Sequence, residues 1–397
     1  MQINLIKNTI SFKSQPSIIN ELINITTDSR LDYHFNLLEE ENINDKTQKY
    51  LLLYPLQGHV SHKLKREEPL FTDIILNKIK EGFDIKIFFC IEAESEEETA
   101  HELLSNYLKT INVNSKDVYL ISGNSKIESI NTFDTNTLED FNPLIHRISN
   151  SMQFSGNFEN FNLDKKYLFQ FYNNHMKSHR VSLLCLLDSI GMLDSIDWSA
   201  LRTGDLNYDS CKTAVMFDIF SEDEIESLIK NYTKILNGGT SKYSEFEDDS
   251  IRYEYGGIND NVAYAKNPYK HAYINIVSES QFVLKNTIHI TEKSLIPFHF
   301  GQLPLFLATE GHIKKLKKLY GFDVFDDIID HSYDSIIDPK ERLYKVLDEI
   351  KRLNTKKDFI IDFYKNNLSR FENNKQIVKD LATIHPYDTI IKEFIKL

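Results

Sequence analysis

Apolar runs and amphipathic segments alternate along the first third of the chain. Three short apolar runs rich in β-branched and aromatic residues predict strands: residues 49–56 (KYLLLYPL), 83–91 (FDIKIFFCI) and 117–124 (DVYLISGN). Residues 92–111 begin with carboxylates and then place leucines at helical spacing, which predicts a helix. Strand, helix and strand in succession indicate a βαβ unit, and hence a parallel sheet covered by helices.

The same alternation begins again near residue 166, after a weakly patterned stretch. Residues 166–174 (KYLFQFYNN) predict a strand, and residues 176–193 predict a helix that ends at Gly191. A further apolar run begins at residue 274 (INIVSES), and the last sixty residues are mainly helical in pattern. Capping residues predict three more helix starts: Ser221 with Glu224, Thr291, and Asp338 before Pro339.

Two α/β segments that each begin with strands predict an α/β protein with two Rossmann-like domains facing a cleft. We expect the first domain at residues 1–160 and the second, which includes a helical tail, at residues 161–397. A chain of 397 residues is longer than one ordinary core supports, which favours two domains. Ligands of open α/β sheets bind beyond the carboxyl ends of strands, so functional side chains are expected shortly after residues 56, 91, 124, 173 and 290.

Composition and charge narrow the class of protein. A hydrophobic content of 41% with 12% aromatic residues describes a globular protein, and a net charge of −13 disfavours a nucleic-acid binder. Three widely spaced cysteines offer no disulfide framework, which fits a reducing compartment, and those in apolar runs are expected to be buried thiols. No apolar stretch has the length of a membrane span and no signal peptide is recognisable, so we expect a cytoplasmic protein.

Two segments carry candidate binding residues. Asn173 and Arg180 lie between a predicted strand end and a helix start, together with Lys177, where an arginine and backbone N–H groups can meet phosphate oxygens. In the second segment Lys293 can pair with a diphosphate, and Glu292 can accept hydrogen bonds from sugar or ribose hydroxyls. On its own, each segment also fits an ordinary role: a basic surface loop, and a helix start with an internal Glu–Lys ion pair.

Taken together, these segments resemble the GDP-fucose-dependent α1,3-fucosyltransferases, from residue 167 to about residue 310. The matching motifs are Asn173–Asn174 and Arg180 before a helix, then Ser278–Glu279–Ser280, TEK at 291–293 and GQLPLF at 301–306. The sequence departs from the family where Ser280 replaces or displaces an asparagine and where His289 replaces a tyrosine.

The resemblance implies a GT-B architecture, in which the second domain binds a nucleotide-sugar. It implies that Arg180 and Lys293 bind the donor diphosphate and that Glu292 contacts the donor sugar or ribose. Glu279 stands in the place of the family's own glutamate, and Asn173 stands in the place of an asparagine of the family's first motif.

Inverting sugar transfer also requires a general base for the acceptor hydroxyl. Glu92 follows the predicted strand 83–91, and related enzymes use a glutamate at a strand end of this domain. His59 follows the predicted strand 49–56 in a QGH sequence that resembles a loop of glycosyltransferases using UDP-sugars, although the donor signature of that family is absent. The ordinary alternatives are a carboxylate at a helix N-terminus and a loop histidine.

The sequence therefore predicts a metal-independent, inverting glycosyltransferase with no cofactor other than its nucleotide-sugar donor. The donor is GDP-linked by resemblance, and the acceptor is a glycan or another small molecule with a hydroxyl group. The acidic FEDDS sequence at 246–250 is interpreted as a solvated loop rather than a metal site. Two alternatives stay open: a non-catalytic protein that binds nucleotide-sugars or carbohydrate, and a viral enzyme that glycosylates DNA bases.

Overall fold

The protein is a mixed α/β structure that divides into two compact units. The computed structural model describes residues 2–7, 33–54, 69–91, 97–122, 136–138, 161–173, 177–200, 219–230, 267–283, 288, 290–384 and 388–397. One unit comprises Met1–Arg147 together with Thr383–Leu397, and the other comprises Ile148–Ala382. Each unit contains one parallel sheet.

The sheet of the first unit contains six of the described strands, in the order β2-β1-β3-β4-β5-β6, and all its pairs are parallel. The strands are β1 (Gln2–Lys7), β2 (His34–Glu39), β3 (Lys49–Tyr54), β4 (Asp84–Ile91), β5 (Val118–Ser122) and β6 (Asn136–Leu138), and helices α1 (Asp73–Lys80) and α2 (Glu97–Thr110) follow β3 and β4. The strand order changes direction between β1 and β3, because the chain moves outward to β2 before it returns to β3.

The sheet of the second unit contains four described strands in the order β10-β9-β7-β8, again all parallel. They are β7 (Tyr167–Asn173), β8 (Asp197–Ala200), β9 (Ala272–Ser278) and β10 (Leu303–Leu307). The helices are α3 (Ser178–Ser189), α4 (Glu222–Lys230), α5 (Glu292–His299), α6 (His312–Tyr320), α7 (Pro339–Asn354), α8 (Lys357–Asn366) and α9 (Leu368–Thr383). Every residue of β9 is buried, as expected for a central strand between covered faces.

The capping predictions are confirmed. The Ser221 N–H and hydroxyl both lie 3.0 Å from Glu224 Oε2, Thr291 caps α5, and Asp338 accepts a hydrogen bond of 2.7 Å from the Glu341 N–H at the start of α7. Gly191 has a left-handed backbone (φ 71°) just beyond α3. Local sequence therefore determines where these helices begin and end.

Helix α10 (Asp388–Lys396) packs on the sheet of the first unit. Its apolar side chains join a buried cluster with residues of β1, β3 and β4: Ile390, Ile391 and Phe394 with Ile3, Leu5, Leu51, Leu53 and Phe88. From the sequence we expected the helical tail to belong to the second domain. In the structure, the apolar side chains of α1 and α2 pack in one cluster on the first sheet, and those of α10 pack in a second cluster. Helix α10 therefore belongs to the first unit, because it covers an apolar face of the sheet that α1 and α2 do not cover.

We expect Phe394→Ala to destabilise the first unit by about 3–5 kcal/mol, because it removes a buried aromatic side chain. Hydrogen exchange read by mass spectrometry should show lost protection in β1, β3 and β4 and unchanged protection in β7 and β9. Phe359→Ala is the matched control, because Phe359 in α8 is 54% exposed and its loss should change little. Lost protection in the second sheet instead would contradict this placement of α10.

Candidate functional site

The candidate site lies at the carboxyl edge of the second sheet. From β7 the chain continues to β8 on one side, whereas β9 lies on the other side of β7. Because β7 and β9 are parallel neighbours, their carboxyl ends, at Asn173 and Ser278, lie at the same edge. Open α/β sheets bind ligands at such a change of strand order.

The residues that follow β9 form the centre of this region. We call Ser278, Glu279 and Ser280 the Ser278–Ser280 segment, and all three residues are buried. The segment is anchored to the neighbouring strand, since the Glu279 N–H donates to the Leu307 carbonyl at 3.1 Å. The segment therefore has a defined position, and side chains from other elements can pack against it.

Arg180, in the first turn of α3, binds this segment with its guanidinium group. Nε donates to Ser278 Oγ at 3.0 Å, and Nη2 donates to the carbonyl oxygens of Ser278 at 3.2 Å and Glu279 at 3.1 Å. Arg180 is only 3% exposed. The contacts show that this arginine joins the start of α3 to the end of β9.

Two neighbours of Arg180 bind the same segment. Lys177 Nζ donates to the Ser280 carbonyl at 2.8 Å, and His179 Nε2 lies 2.9 Å from the Glu279 carbonyl. A carbonyl oxygen only accepts hydrogen bonds, so His179 Nε2 carries the proton. Burial, together with the charge of Arg180, holds the pKa of His179 well below its ordinary value, so the ring is neutral at pH 7.

Glu279 is fully buried, and its carboxylate accepts four hydrogen bonds. The donors are Thr291 N–H (3.1 Å), Thr291 Oγ1 (2.7 Å), Ser294 Oγ (2.5 Å) and its neighbour Ser280 N–H (3.2 Å). Burial alone would raise the pKa of Glu279, but the charge of Lys293 and these hydrogen bonds outweigh it and lower the pKa to about 2. Glu279 therefore holds the start of α5 in place through buried hydrogen bonds, and its carboxylate does not face solvent.

Lys293 extends from the first turn of α5 toward the same segment. Its Nζ atom lies 3.2 Å from Thr291 Oγ1 and 3.5 Å from Ser280 Oγ. Lys293 is partly exposed, unlike Arg180 and Glu279. The structure thus brings Arg180, Glu279 and Lys293, which the sequence separates by up to 113 positions, to one three-residue segment.

A serine and a histidine that sequence patterns did not indicate extend this network. Ser294 Oγ donates to Glu279 Oε1, since a carboxylate only accepts, and Ser294 Oγ then accepts from His312 Nε2 at 2.9 Å. His312 lies fully buried at the start of α6, and its Nδ1 atom has no hydrogen-bond partner among the residues that the structure describes. Nothing in the local sequence marks Ser294 or His312, because their pairing depends on how α5 and α6 pack.

Asn173 ends β7, and its side chain is buried. Its backbone N–H donates to Ser199 Oγ at 3.2 Å, but within the described part of the chain neither atom of its side-chain amide has a partner. Asn173 is only 2% exposed. Leaving a buried polar group unpaired costs about 1–3 kcal/mol, and a ligand that hydrogen-bonds to it would recover this cost.

Three predicted residues cannot be placed with their side chains. Glu92 and His59 lie outside the described residues, as does the side chain of Glu292, although Glu292 begins α5. The strands that precede them in the sequence, β4 and β3, are parallel neighbours, so the carboxyl ends of these two strands lie at one edge of the first sheet. Their roles as bases stay predictions.

Comparison with protein-family models, with curated proteins and with solved structures gave no significant match. No helix among the described residues combines the length and apolar character needed to cross a membrane. In the same part of the chain, no group of three or more His, Cys, Asp and Glu side chains is arranged to hold a metal ion. The interpretation of the site consequently depends on its own geometry.

We expect Glu279→Gln to destabilise the second unit by about 3 kcal/mol at pH 7, since the pKa falls from an ordinary 4.5 to about 2 on folding. A lowered pKa stabilises the fold above pH 4.5, and this contribution is lost as the pH falls toward 2. Urea unfolding at several pH values should show that the difference in the free energy of unfolding between wild type and variant disappears as the pH falls from 4.5 to about 2.

The matched control is Glu341→Gln, at an exposed position in α7. It should leave the free energy of unfolding within about 0.5 kcal/mol of wild type at every pH. A Glu279→Gln protein as stable as wild type at pH 7 would show that the carboxylate charge does not hold α5 in place.

Proposed function

We propose that this protein is a glycosyltransferase whose second unit binds a nucleotide-sugar donor through its diphosphate. The observation that carries the proposal is the meeting of Lys177, Arg180 and Lys293 at the Ser278–Ser280 segment, at the carboxyl edge of a parallel sheet. The N-termini of α3 and α5 lie in the same region and carry positive partial charge. Phosphate oxygens are the ligand chemistry that such an arrangement favours.

The proposed reaction breaks the bond between the anomeric carbon of the sugar and the diphosphate oxygen. Negative charge develops on the leaving diphosphate, and fixed cations stabilise it without further reorganisation. The acceptor hydroxyl attacks the anomeric carbon from the opposite side, which inverts its configuration, and a general base takes the hydroxyl proton. Glu92 and His59 are the two alternative candidates for this base, and lysine and arginine charges replace a metal in this scheme.

The finer architecture belongs to the same proposal. We assign the first unit to a glycan or other hydroxyl acceptor and the two units to a GT-B-like pair of Rossmann-like domains, acting in the cytoplasm. Support comes from the parallel sheet in each unit, with a change of strand order in both. The resemblance of the motifs to fucosyltransferases suggests GDP as the nucleotide.

Thermal-shift measurements with nucleoside diphosphates and nucleotide-sugars test donor binding. A ligand that binds only the folded protein stabilises it by about 2.7 kcal/mol at one hundred times its Kd, so GDP or a GDP-sugar should raise the melting temperature by several degrees. Guanosine, which lacks phosphate, should not. If no nucleoside diphosphate stabilises the protein at millimolar concentration, the donor assignment is wrong.

Variants of the proposed bases separate an enzyme from a binding protein. Glu92→Gln or His59→Ala should lower kcat by about 10²–10⁴-fold and leave the Kd for the donor unchanged, because the base acts only on the acceptor proton. Transfer assays with a panel of hydroxyl acceptors provide kcat. Donor binding without turnover on any acceptor would favour the non-catalytic alternative.

A further inference from the structure

The ammonium groups of two lysines, Lys177 and Lys293, contact the same buried residue, Ser280. Lys177 Nζ lies 2.8 Å from the Ser280 carbonyl oxygen, and Lys293 Nζ lies 3.5 Å from the Ser280 hydroxyl oxygen. The lysines come from different elements, since Lys177 precedes α3 and Lys293 lies in the first turn of α5. Both ammonium groups therefore contact one residue, and an anion bound at Ser280 would interact favourably with both charges.

Both lysines also occupy unfavourable places on their helices. Lys177 is the N-cap of the twelve-residue helix α3 and makes no capping hydrogen bond with its side chain, while Lys293 is the second residue of the eight-residue helix α5. Helix N-termini carry positive partial charge and favour carboxylates or bound anions over cations. Two cations at two such termini are the arrangement that a bound anion would stabilise.

Cations outnumber carboxylates among the described side chains that contact or belong to the segment. The described side chains that bind or belong to the Ser278–Ser280 segment include three cations, Lys177, Arg180 and Lys293, and one carboxylate, Glu279. His179 is neutral because burial lowers its pKa. The whole chain, in contrast, has a net charge of −13.

Arg180 differs from the two lysines in its hydrogen bonds and in its exposure to solvent. Its Nε and Nη2 atoms, which form one of the two guanidinium edges that can bind two phosphate oxygens in parallel, already donate to Ser278 and Glu279. The two lysines are partly exposed, whereas Arg180 is almost completely buried. An ammonium group has three donors, so each lysine can bind a phosphate oxygen while it keeps its contact with Ser280.

We infer that Lys177 and Lys293 bind the diphosphate of the donor at Ser280, and that Arg180 is a positioning residue that holds the segment beneath them. This inference rests on the proposed function and changes one of its assignments, since the family resemblance implies that Arg180 itself binds the diphosphate. Lys177 becomes a ligand contact that the resemblance does not include. The buried amide of Asn173, unpartnered within the described residues, lies at the same sheet edge and supplies hydrogen-bonding groups to the same ligand.

The test is calorimetric titration of the full-length protein with GDP, UDP and guanosine at low and high salt. Lys177→Met and Lys293→Met should each raise the Kd for the diphosphate that binds by about tenfold or more, because each removes a charge-assisted hydrogen bond. The Kd should also rise less steeply with salt, because one fewer charge is screened. Lys177→Arg keeps the charge and should restore most of the affinity and the salt dependence.

Arg180→Gln should behave differently from Lys177→Met and Lys293→Met, although each of the three variants removes one positive charge. It should lower the melting temperature without ligand, because it loses hydrogen bonds to the segment, yet keep the salt dependence of wild type, because no contact with the diphosphate is lost. Lys166→Met is the matched control, because Lys166 is an exposed lysine before the amino end of β7, at the opposite edge of the sheet. The Kd of the Lys166→Met protein for the diphosphate should equal that of wild type.

The outcomes separate this inference from the function on which it rests. If the wild-type protein binds neither diphosphate, the proposed function fails and the inference fails with it. If wild type binds but folded Lys177→Met and Lys177→Gln proteins bind equally well with unchanged salt dependence, Lys177 is not a ligand contact and only the inference is wrong. A folded Arg180→Gln protein whose Kd depends on salt as weakly as that of Lys177→Met would show that Arg180 itself binds the diphosphate.

Discussion

The buried carboxylate of Glu279 is the interaction on which the second unit's candidate site depends. A buried charge costs several kcal/mol unless it is paired and hydrogen-bonded, so the surrounding chain must supply donors in fixed positions. Three of the four donors come from the start of α5, the fourth is the Ser280 N–H, and Ser294 extends the network to His312 at the start of α6. In satisfying Glu279, the fold fixes where α5 begins and therefore where Lys293 points. Sites fixed in this way need little rearrangement to stabilise a developing charge.

The parallel sheet explains why distant residues converge there. All described strands of the second sheet run in one direction, so their following segments leave at one edge, and the change of strand order between β7 and β9 brings two of these segments side by side. The chain after β7 supplies Lys177 and Arg180, while the chain after β9 supplies the acceptor groups that hold them. Basic side chains and helix N-termini concentrated at this edge of an acidic protein point to an anionic ligand, the chemistry shared by our proposals on function and on the two lysines.

Much of the fold was predictable from local sequence, because strand runs and helix caps depend on a few consecutive residues. Strands β3, β4, β5, β7 and β9 follow apolar runs, and the caps at Ser221, Thr291 and Asp338 are as predicted. Strands β1, β2, β6, β8 and β10 were not predicted. Among the described strands, β2 is largely solvent-accessible and lies at one edge of its sheet, and β10 contains Pro304, which is tolerated because β10 also lies at a sheet edge. The grouping of Arg180, Glu279 and Lys293 came from motif order, but the burial of Glu279, the contact of Lys177 with Ser280 and the packing of α10 depend on strand order, which no local pattern contains.

A crystal structure of the protein with a bound nucleoside diphosphate tests the central claim most directly. The account predicts phosphate oxygens within about 3 Å of the Nζ atoms of both Lys177 and Lys293, with Ser280 between them and the Glu279 carboxylate still enclosed by its donors. A nucleotide bound at the amino edge of the second sheet, or held only by the first unit, would contradict it.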